Sequence, residues 1–288
     1  MLWSLSLTVA ASQLSPRPLP IPRLLIEAPV ELELSRTRLE SFDQSRLRGV
    51  MRLIGLEDPG PAIRVVLTAE TSEWARQVPP STAGFAIAEA SLVVLIPSRS
   101  PMYPDDGLED VLHHEVAHVL IARAAGGHPV PRWFNEGLAM AAERTWGLED
   151  QARLFRELTL VARTDLDEVN RLFTQSDSAR VRAYTLSGAF VRDLIRHHGT
   201  AAPGEVLARV ATGTPFESAF GEVIGLNLVG AERAFRDRHR FWSRWGLFLT
   251  TTTSLWMIVT LLALYAILRR RQKSARLRKK WAEEGLEE

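Results

Sequence analysis

The chain is predicted to fold as α+β: a small mixed sheet precedes a helix bearing two histidines, a mainly helical lobe follows, and one transmembrane helix lies near the C-terminus. Three observations carry this prediction. Short β-branched runs at Ile63–Thr68 and Leu92–Ile96 have the length and composition of strands. From Gln151 onward the segments are predominantly helical, including Tyr184–His197 and Ala231–Arg240. Finally, Gly246–Leu268 carries no charge and is rich in Leu, Ile, Val and Thr.

At the N-terminus, Leu2–Ala11 is apolar, and Val9-Ala10-Ala11 before Ser12 has the form of a small-residue cleavage site. No Lys or Arg precedes it, so residues 1–11 read as a signal peptide, a signal whose start lies upstream, or an uncleaved hydrophobic end. Pro16, Pro18, Pro20 and Pro22 make residues 12–23 a stiff linker. The main domain is expected over 24–240. Within it, Arg36–Leu56 reads as a helix with Leu39, Phe42, Val50 and Ile54 facing the core. The two strands follow.

The most specific signal is His113-His114-Glu115-Val116-Ala117-His118, which contains H-E-x-x-H. On a helix, residues four apart share a face, so His114 and His118 can offer ring nitrogens to one ion. Glu115 projects beside them, placed to take a proton from water. Asp105-Asp106-Gly107 supplies turn and capping chemistry ahead of this helix, and Glu109 and Asp110 suit its positive end. Ala124-Ala125-Gly126-Gly127 is a stop, with Pro129 and Pro131 barring continuation. A second helix begins near Pro131–Phe134 and carries Glu136 in its first turns. Antiparallel packing of the two helices would bring Glu136 over the histidine pair. Two imidazoles and a carboxylate leave one coordination position for water, as a catalytic Zn2+ needs; the alternative is that Glu136 only caps a helix.

These residues resemble the gluzincin (HExxH…E) zinc metallopeptidases, the thermolysin and aminopeptidase-like clan, and especially their small peptidase-MA-like members. Pro131-Arg132-Trp133-Phe134-Asn135-Glu136-Gly137-Leu138-Ala139 is similar to the family's third-ligand segment. Ala183–Phe190 and Thr214–Gly221 are similar to its later helices, and the resemblance spans about Ile63 to His239. It implies a thermolysin-like catalytic core with His114, His118 and Glu136 on zinc and Glu115 as general base. It also implies a substrate-flanking edge strand at Gly84, Phe85 and Ala86, and a stabilising tyrosine at Tyr184. Tyr184 has an equal alternative as a half-buried core residue. One departure is the lack of a G-x-M-E-N segment, with which exo-acting relatives grip a substrate's amino terminus. That argues against an aminopeptidase.

The remaining histidines fit other roles. His113 should face away from the metal, because its neighbour takes the ligand face. His128, His197, His198 and His239 lack partner spacing. A carboxylate orienting a ligand histidine is expected, with Asp110 and Glu143 both open.

Gly246–Leu268 would extend about 34 Å as a helix, enough to cross a bilayer. Trp242, Trp245 and Trp256 give it an aromatic bias. Arg269, Arg270, Arg271 and Lys273 begin a basic tail over 269–288 that reads as cytoplasmic by the positive-inside rule. The expected placement is therefore single-pass in a bacterial cytoplasmic membrane, in contact with lipid, with the catalytic domain outside. The net charge of +1 includes that basic tail, so no nucleic-acid partner is expected. With no cysteine there is no disulfide, thiolate metal site or cysteine nucleophile. The leading expectation is a membrane-anchored zinc metallopeptidase acting on extracytoplasmic polypeptides. A non-peptide amide hydrolase of the cell envelope and a non-catalytic scaffold are the alternatives.

Overall fold

The computed structural model describes residues 19–101, 104–143, 147–160, 165–249, 256–257 and 259–271. By internal contacts the chain divides into two compact units, Met1–Trp146 with Asp165–Ala231, and Gly147–Thr164 with Glu232–Glu288.

Among the described residues the first unit opens with strand β1 (Leu24–Glu27), an element the sequence does not predict. Helices α1 (Glu33–Glu40) and α2 (Leu47–Ile54) then replace the single helix expected over Arg36–Leu56. The break has a local cause. Asp43 Oδ1 accepts the Ser45 backbone N–H, and this short-range bond competes with continued helix. Leu39, Phe42, Val50 and Ile54 are all buried, so the core positions survive the break.

Strand β2 (Ile63–Leu67) buries Ile63, Val65 and Leu67 on one face. After the short helix α3 (Glu73–Gln77) come β3 (Gly84–Ile87) and β4 (Leu92–Leu95). The four strands lie in the order β1-β2-β4-β3; β1, β2 and β4 run parallel, and β3 pairs antiparallel to β4 from Gly84↔Leu95 to Ile87↔Leu92. Val93, Val94 and Leu95 are all buried, as expected of an inner strand covered on both faces. The antiparallel strand β3 is thus left at an edge.

Helix α4 (Leu108–Ala124) packs against β3, β4 and α2. It also packs against α5 (Arg132–Glu143) and, further along the chain, α9 (Ala202–Ala211). Being covered on several sides, it buries polar and apolar residues alike. Its start differs from expectation. No side chain caps the helix at Gly107; Glu109 and Asp110 instead pair with Arg38 and Arg46, which ties the start of α4 to the segment around α1 and α2. Helix α6 (Leu148–Leu160) belongs to the second unit. Back in the first, α7 (Leu166–Leu172) is capped by Asp165, and α8 (Asp177–His198) by Ser176. Helix α10 (Phe216–Ile224) follows α9 and contributes Phe216 and Phe220 to an edge-to-face cluster around Trp133.

The expected fold class and placement require correction: the protein is mainly helical with a small sheet, and among the described residues no helix is long and apolar enough to cross a membrane. The apolar stretch starts inside α11 (Leu228–Leu249), whose earlier residues include Glu232, Arg233, Arg236, Asp237 and Arg238. Beyond it, residues 256–257 and 259–271 are helical. The expected single-pass membrane placement and lipid contact fall with the span. Residues 250–255 and 258 of that stretch lie outside the described residues, as do the hydrophobic N-terminus at 1–11, residues 12–18, Tyr103, and the basic tail from 272.

His113 turns into the core beside Phe42, with ring centroids 6.4 Å apart. Burial, helped by the nearby Arg46 charge, pushes its imidazole down to about 4 from an ordinary 6.5. The folded state therefore favours the neutral ring, while the unfolded chain binds a proton near the ordinary value. Stability from this group is complete above that value and is lost as pH falls towards the folded one. Between pH ~7 and ~5 the loss should be about 2 kcal/mol. Chemical denaturation of the natural chain and of His113→Leu at both pH values checks this. The substitution should flatten the decline by that amount, and an unchanged pH slope would contradict the assignment.

Candidate metal centre

The site begins with the helical period. His114 and His118 stand one turn apart on α4, with ring centroids 4.8 Å apart and nearly perpendicular planes. The helix ends in a left-handed turn: Gly126 and Gly127 have positive φ, and Gly127 N–H donates to Ala122 O. The chain then returns through Pro129 and Pro131 into α5. Its early N–H at Trp133 is satisfied by Asn170 Oδ1. One turn in, Glu136 Oε2 lies 3.3 Å from His114 Nε2 and 3.4 Å from His118 Nε2. The three donor atoms lie within 4.8 Å of one another.

The two Glu136–imidazole separations fit a metal. Donors held at about 2.0–2.1 Å from a tetrahedral ion are themselves about 3.3–3.4 Å apart. The ring orientations also fit. His118 Nδ1 lies 2.8 Å from Asn135 Oδ1, and a proton donated there would leave the Nε2 lone pair for an ion. Asp105 Oδ1 lies 3.7 Å from His114 Nδ1, so the carboxylate beside this imidazole is Asp105. Of the two carboxylates that the sequence left open, Asp110 does not fill that position. Asp110 pairs with Arg46 at 2.9 Å, and the Glu143 side chain lies outside the described residues.

Burial opposes ionisation of Glu136, but His118 and His114 together hold its carboxyl well below the ordinary carboxylate range. Its second oxygen, Oε1, accepts from Arg132 Nε at 3.3 Å, and the Arg132 guanidinium lies 4.6 Å from the centre of the Phe173 ring. Glu115 is buried next to the pair, and burial raises its pKa against the lowering pull of His118 and His114. Strand β3 runs close against it. A Cβ at Gly84 would lie 2.8 Å from Leu95 Cδ2 and Val111 Cγ1, and 3.0 Å from Glu115 Cγ, so only glycine permits this approach. Gly137 plays the same part on the other side: a Cβ there would sit 2.5 Å from Val191 Cγ2 and 2.6 Å from Ser187 O, both on α8.

Close packing of α8 on α5 brings Tyr184 over the site, its ring centroid 6.2 Å from that of His114 and 5.3 Å from that of Phe173. Burial, with Glu136 and Glu115 nearby, raises the phenol well above its ordinary pKa, so Tyr184 keeps its proton and remains a donor. A cleft of about 660 Å³ opens over the group, lined by the three ligand candidates and by Glu115, Tyr184 and the β3 segment. All eight residues singled out from the sequence, His114, Glu115, His118, Glu136, Tyr184, Gly84, Phe85 and Ala86, border this one cleft. His113 does not, as expected.

A family model described as the peptidase MA superfamily matches residues 76–240, a segment that contains every residue of this site. The chain belongs to the peptidase MA superfamily. No curated protein matches it. Membership carries a peptidase-like, hydrolytic function and a polypeptide substrate class, and members of this superfamily are often metallopeptidases. In this peptidase MA chain the roles of Asp105, Arg132 and Asn135 were not readable beforehand. Asn135 and Arg132 stood in the quoted motif without a role, and their value depends on which way α5 faces. Asp105 gave no signal beyond a turn, because its distance from His114 follows no helical period.

Asp105→Asn removes the charge beside His114 while keeping its shape. It should weaken binding of a metal ion at this site by roughly 10–100-fold, as loss of a carboxylate behind a ligand histidine does. Competition with a chelator of known affinity measures this, and equal affinity in the two proteins would refute the positioning role.

Proposed function

We propose that this chain is a zinc-dependent peptidase of the gluzincin type that hydrolyses peptide bonds within polypeptides. The reading is carried by one observation: His114, His118 and Glu136 converge on a point beside a buried Glu115, inside a cleft bordered by an edge strand. His114 and His118 would hold zinc through Nε2, and Glu136 through Oε2. When bound, the ion supplies Lewis acidity, lowering the pKa of water towards about 7 and polarising a carbonyl oxygen.

The chain's own residues carry the other tasks. Glu115 accepts the proton of the attacking water and passes it to the leaving nitrogen. A carboxyl raised above its ordinary pKa by burial suits that exchange. Tyr184 keeps its hydroxyl proton and donates a hydrogen bond to the oxyanion that develops at the scissile carbonyl. Strand β3, with one edge paired to β4 and the other at the sheet margin, offers backbone groups to an extended substrate. Gly84, Phe85 and Ala86 are its substrate-contacting residues, and such pairing favours polypeptides over small amides. The absence of a G-x-M-E-N segment supports internal cleavage over removal of N-terminal residues.

The test joins metal content and turnover on the full chain. The natural protein should bind zinc near one equivalent and cleave an unfolded polypeptide. Glu115→Gln should keep the zinc and lose at least about a hundredfold in turnover, since only the proton acceptor is removed. A chain that stays metal-free with zinc supplied, or unchanged turnover in the variant, would overturn the assignment.

A further inference from the structure

The cleft contains three arginines, and their donors are committed very differently. Arg123 is used up by structure: its Nη2 donates to Pro61 O at 2.9 Å and Ser91 Oγ at 2.8 Å, and its Nη1 to Pro59 O. Arg132 belongs to the metal centre: its Nε donates to Glu136 Oε1 and its guanidinium stacks on Phe173. Arg180 is different. Its side chain is only 17% exposed, and its Nη2 donates to one oxygen of Asp177 at 2.7 Å. Its Nε is buried without a hydrogen-bond partner among the described residues. Asp177 is itself 72% exposed, and the same Oδ1 also accepts from Ser81 Oγ at 2.6 Å. A single-oxygen pair with so exposed a carboxylate contributes little and is readily exchanged for another carboxylate.

Placement adds a direction. Arg180 lies in the first turns of α8, where the helix dipole reinforces positive potential. Tyr184 is one turn further along the same face, and both line the cleft. Side chains spaced in this way stand about 6 Å apart at Cβ, while an extended peptide advances about 3.3–3.6 Å per residue. A group meeting Arg180 therefore belongs to a residue one or two positions from a bond held at Tyr184.

We propose that Arg180 anchors a carboxylate of the polypeptide substrate close to the scissile bond, which makes this a peptidase selective for anionic peptides. The carboxylate is either an acidic side chain or a free C-terminus, since both present the same planar group to the guanidinium fork. Asp177 is the resident partner that the substrate displaces, and its link to Ser81 keeps the segment entering β3 in register with α8. The proposal rests on the peptidase reading of the same cleft.

The test is calorimetric binding to the zinc-supplied full chain carrying Glu115→Gln, with three peptides of common backbone. One has an internal Glu and an amidated C-terminus, one has Gln in its place with the same amide, and one has Gln with a free C-terminus. At least one carboxylate-bearing peptide should bind about tenfold or more tightly than the Gln amide, with an advantage that shrinks in high salt. Preference for the Glu peptide identifies a side chain as the source, and preference for the free terminus identifies the chain end. Adding Arg180→Gln should abolish the advantage, and Arg180→Lys should retain only part of it. Thermal melting of both variants shows that they fold; if the Gln variant does not, the Lys variant decides.

Equal binding of all three peptides, binding of none, or a preference that survives loss of Arg180 would overturn the proposal. Cleavage of the same peptides by the natural chain is read separately. An Arg180-dependent preference without cleavage defeats the peptidase reading and leaves the carboxylate subsite standing. Cleavage without preference does the reverse.

Discussion

A carboxylate held in the protein interior between two imidazoles is the constraint around which this fold is arranged. Glu136, His114 and His118 are costly to bury, and a lone charge in their place would be expelled or neutralised. They are tolerated because each is answered by a polar partner. Asn135 holds one ring, Asp105 lies beside the other, and Arg132 meets the far oxygen of Glu136. Those partners come from α5 and from the loop ahead of α4. The centre can therefore form only when several elements have docked.

Docking in turn depends on close approach, and close approach depends on missing side-chain atoms. Gly84 lets the edge strand lie against Glu115, and Gly137 lets α8 lie against α5 directly behind the third ligand candidate. The consequence is functional as well as structural. The strand that a peptide can pair with and the helix that carries Tyr184 and Arg180 are both drawn to within reach of one cleft. A methyl group at either glycine would act on the chemistry by moving a wall of the site, without touching a reacting group.

Legibility followed the range of the interaction concerned. His114, Glu115, His118 and Glu136 were readable because a helix of known period places residues four apart on one face, and because the turn between α4 and α5 is written in Gly126, Gly127, Pro129 and Pro131. The strands at β2 and β4 were readable from β-branched runs. The break at Asp43 was not, since a side chain capturing a backbone N–H two residues on outweighed an apolar pattern that continues through it. The apolar stretch from Gly246 misled for a related reason. Composition does not report which residues share one helix, and here the stretch begins within a helix that carries charges earlier along it.

By itself, then, the sequence determined the local chemistry of this protein: two imidazoles and a general base on one helix, a carboxylate at the start of the next, and the apolar positions that bury them. Each is set within a turn or two of chain, where backbone geometry is the same in any fold. Only the tertiary structure decided that Asp105 rather than Asp110 lies beside His114, that Tyr184 overlooks the site, and that Arg180 lines the cleft with its Nε buried and unpartnered among the described residues. Those assignments join segments up to about a hundred residues apart. Which of several chemically equivalent side chains meets a given partner depends on how the helices and sheet pack, and packing is a property of the whole set of buried surfaces.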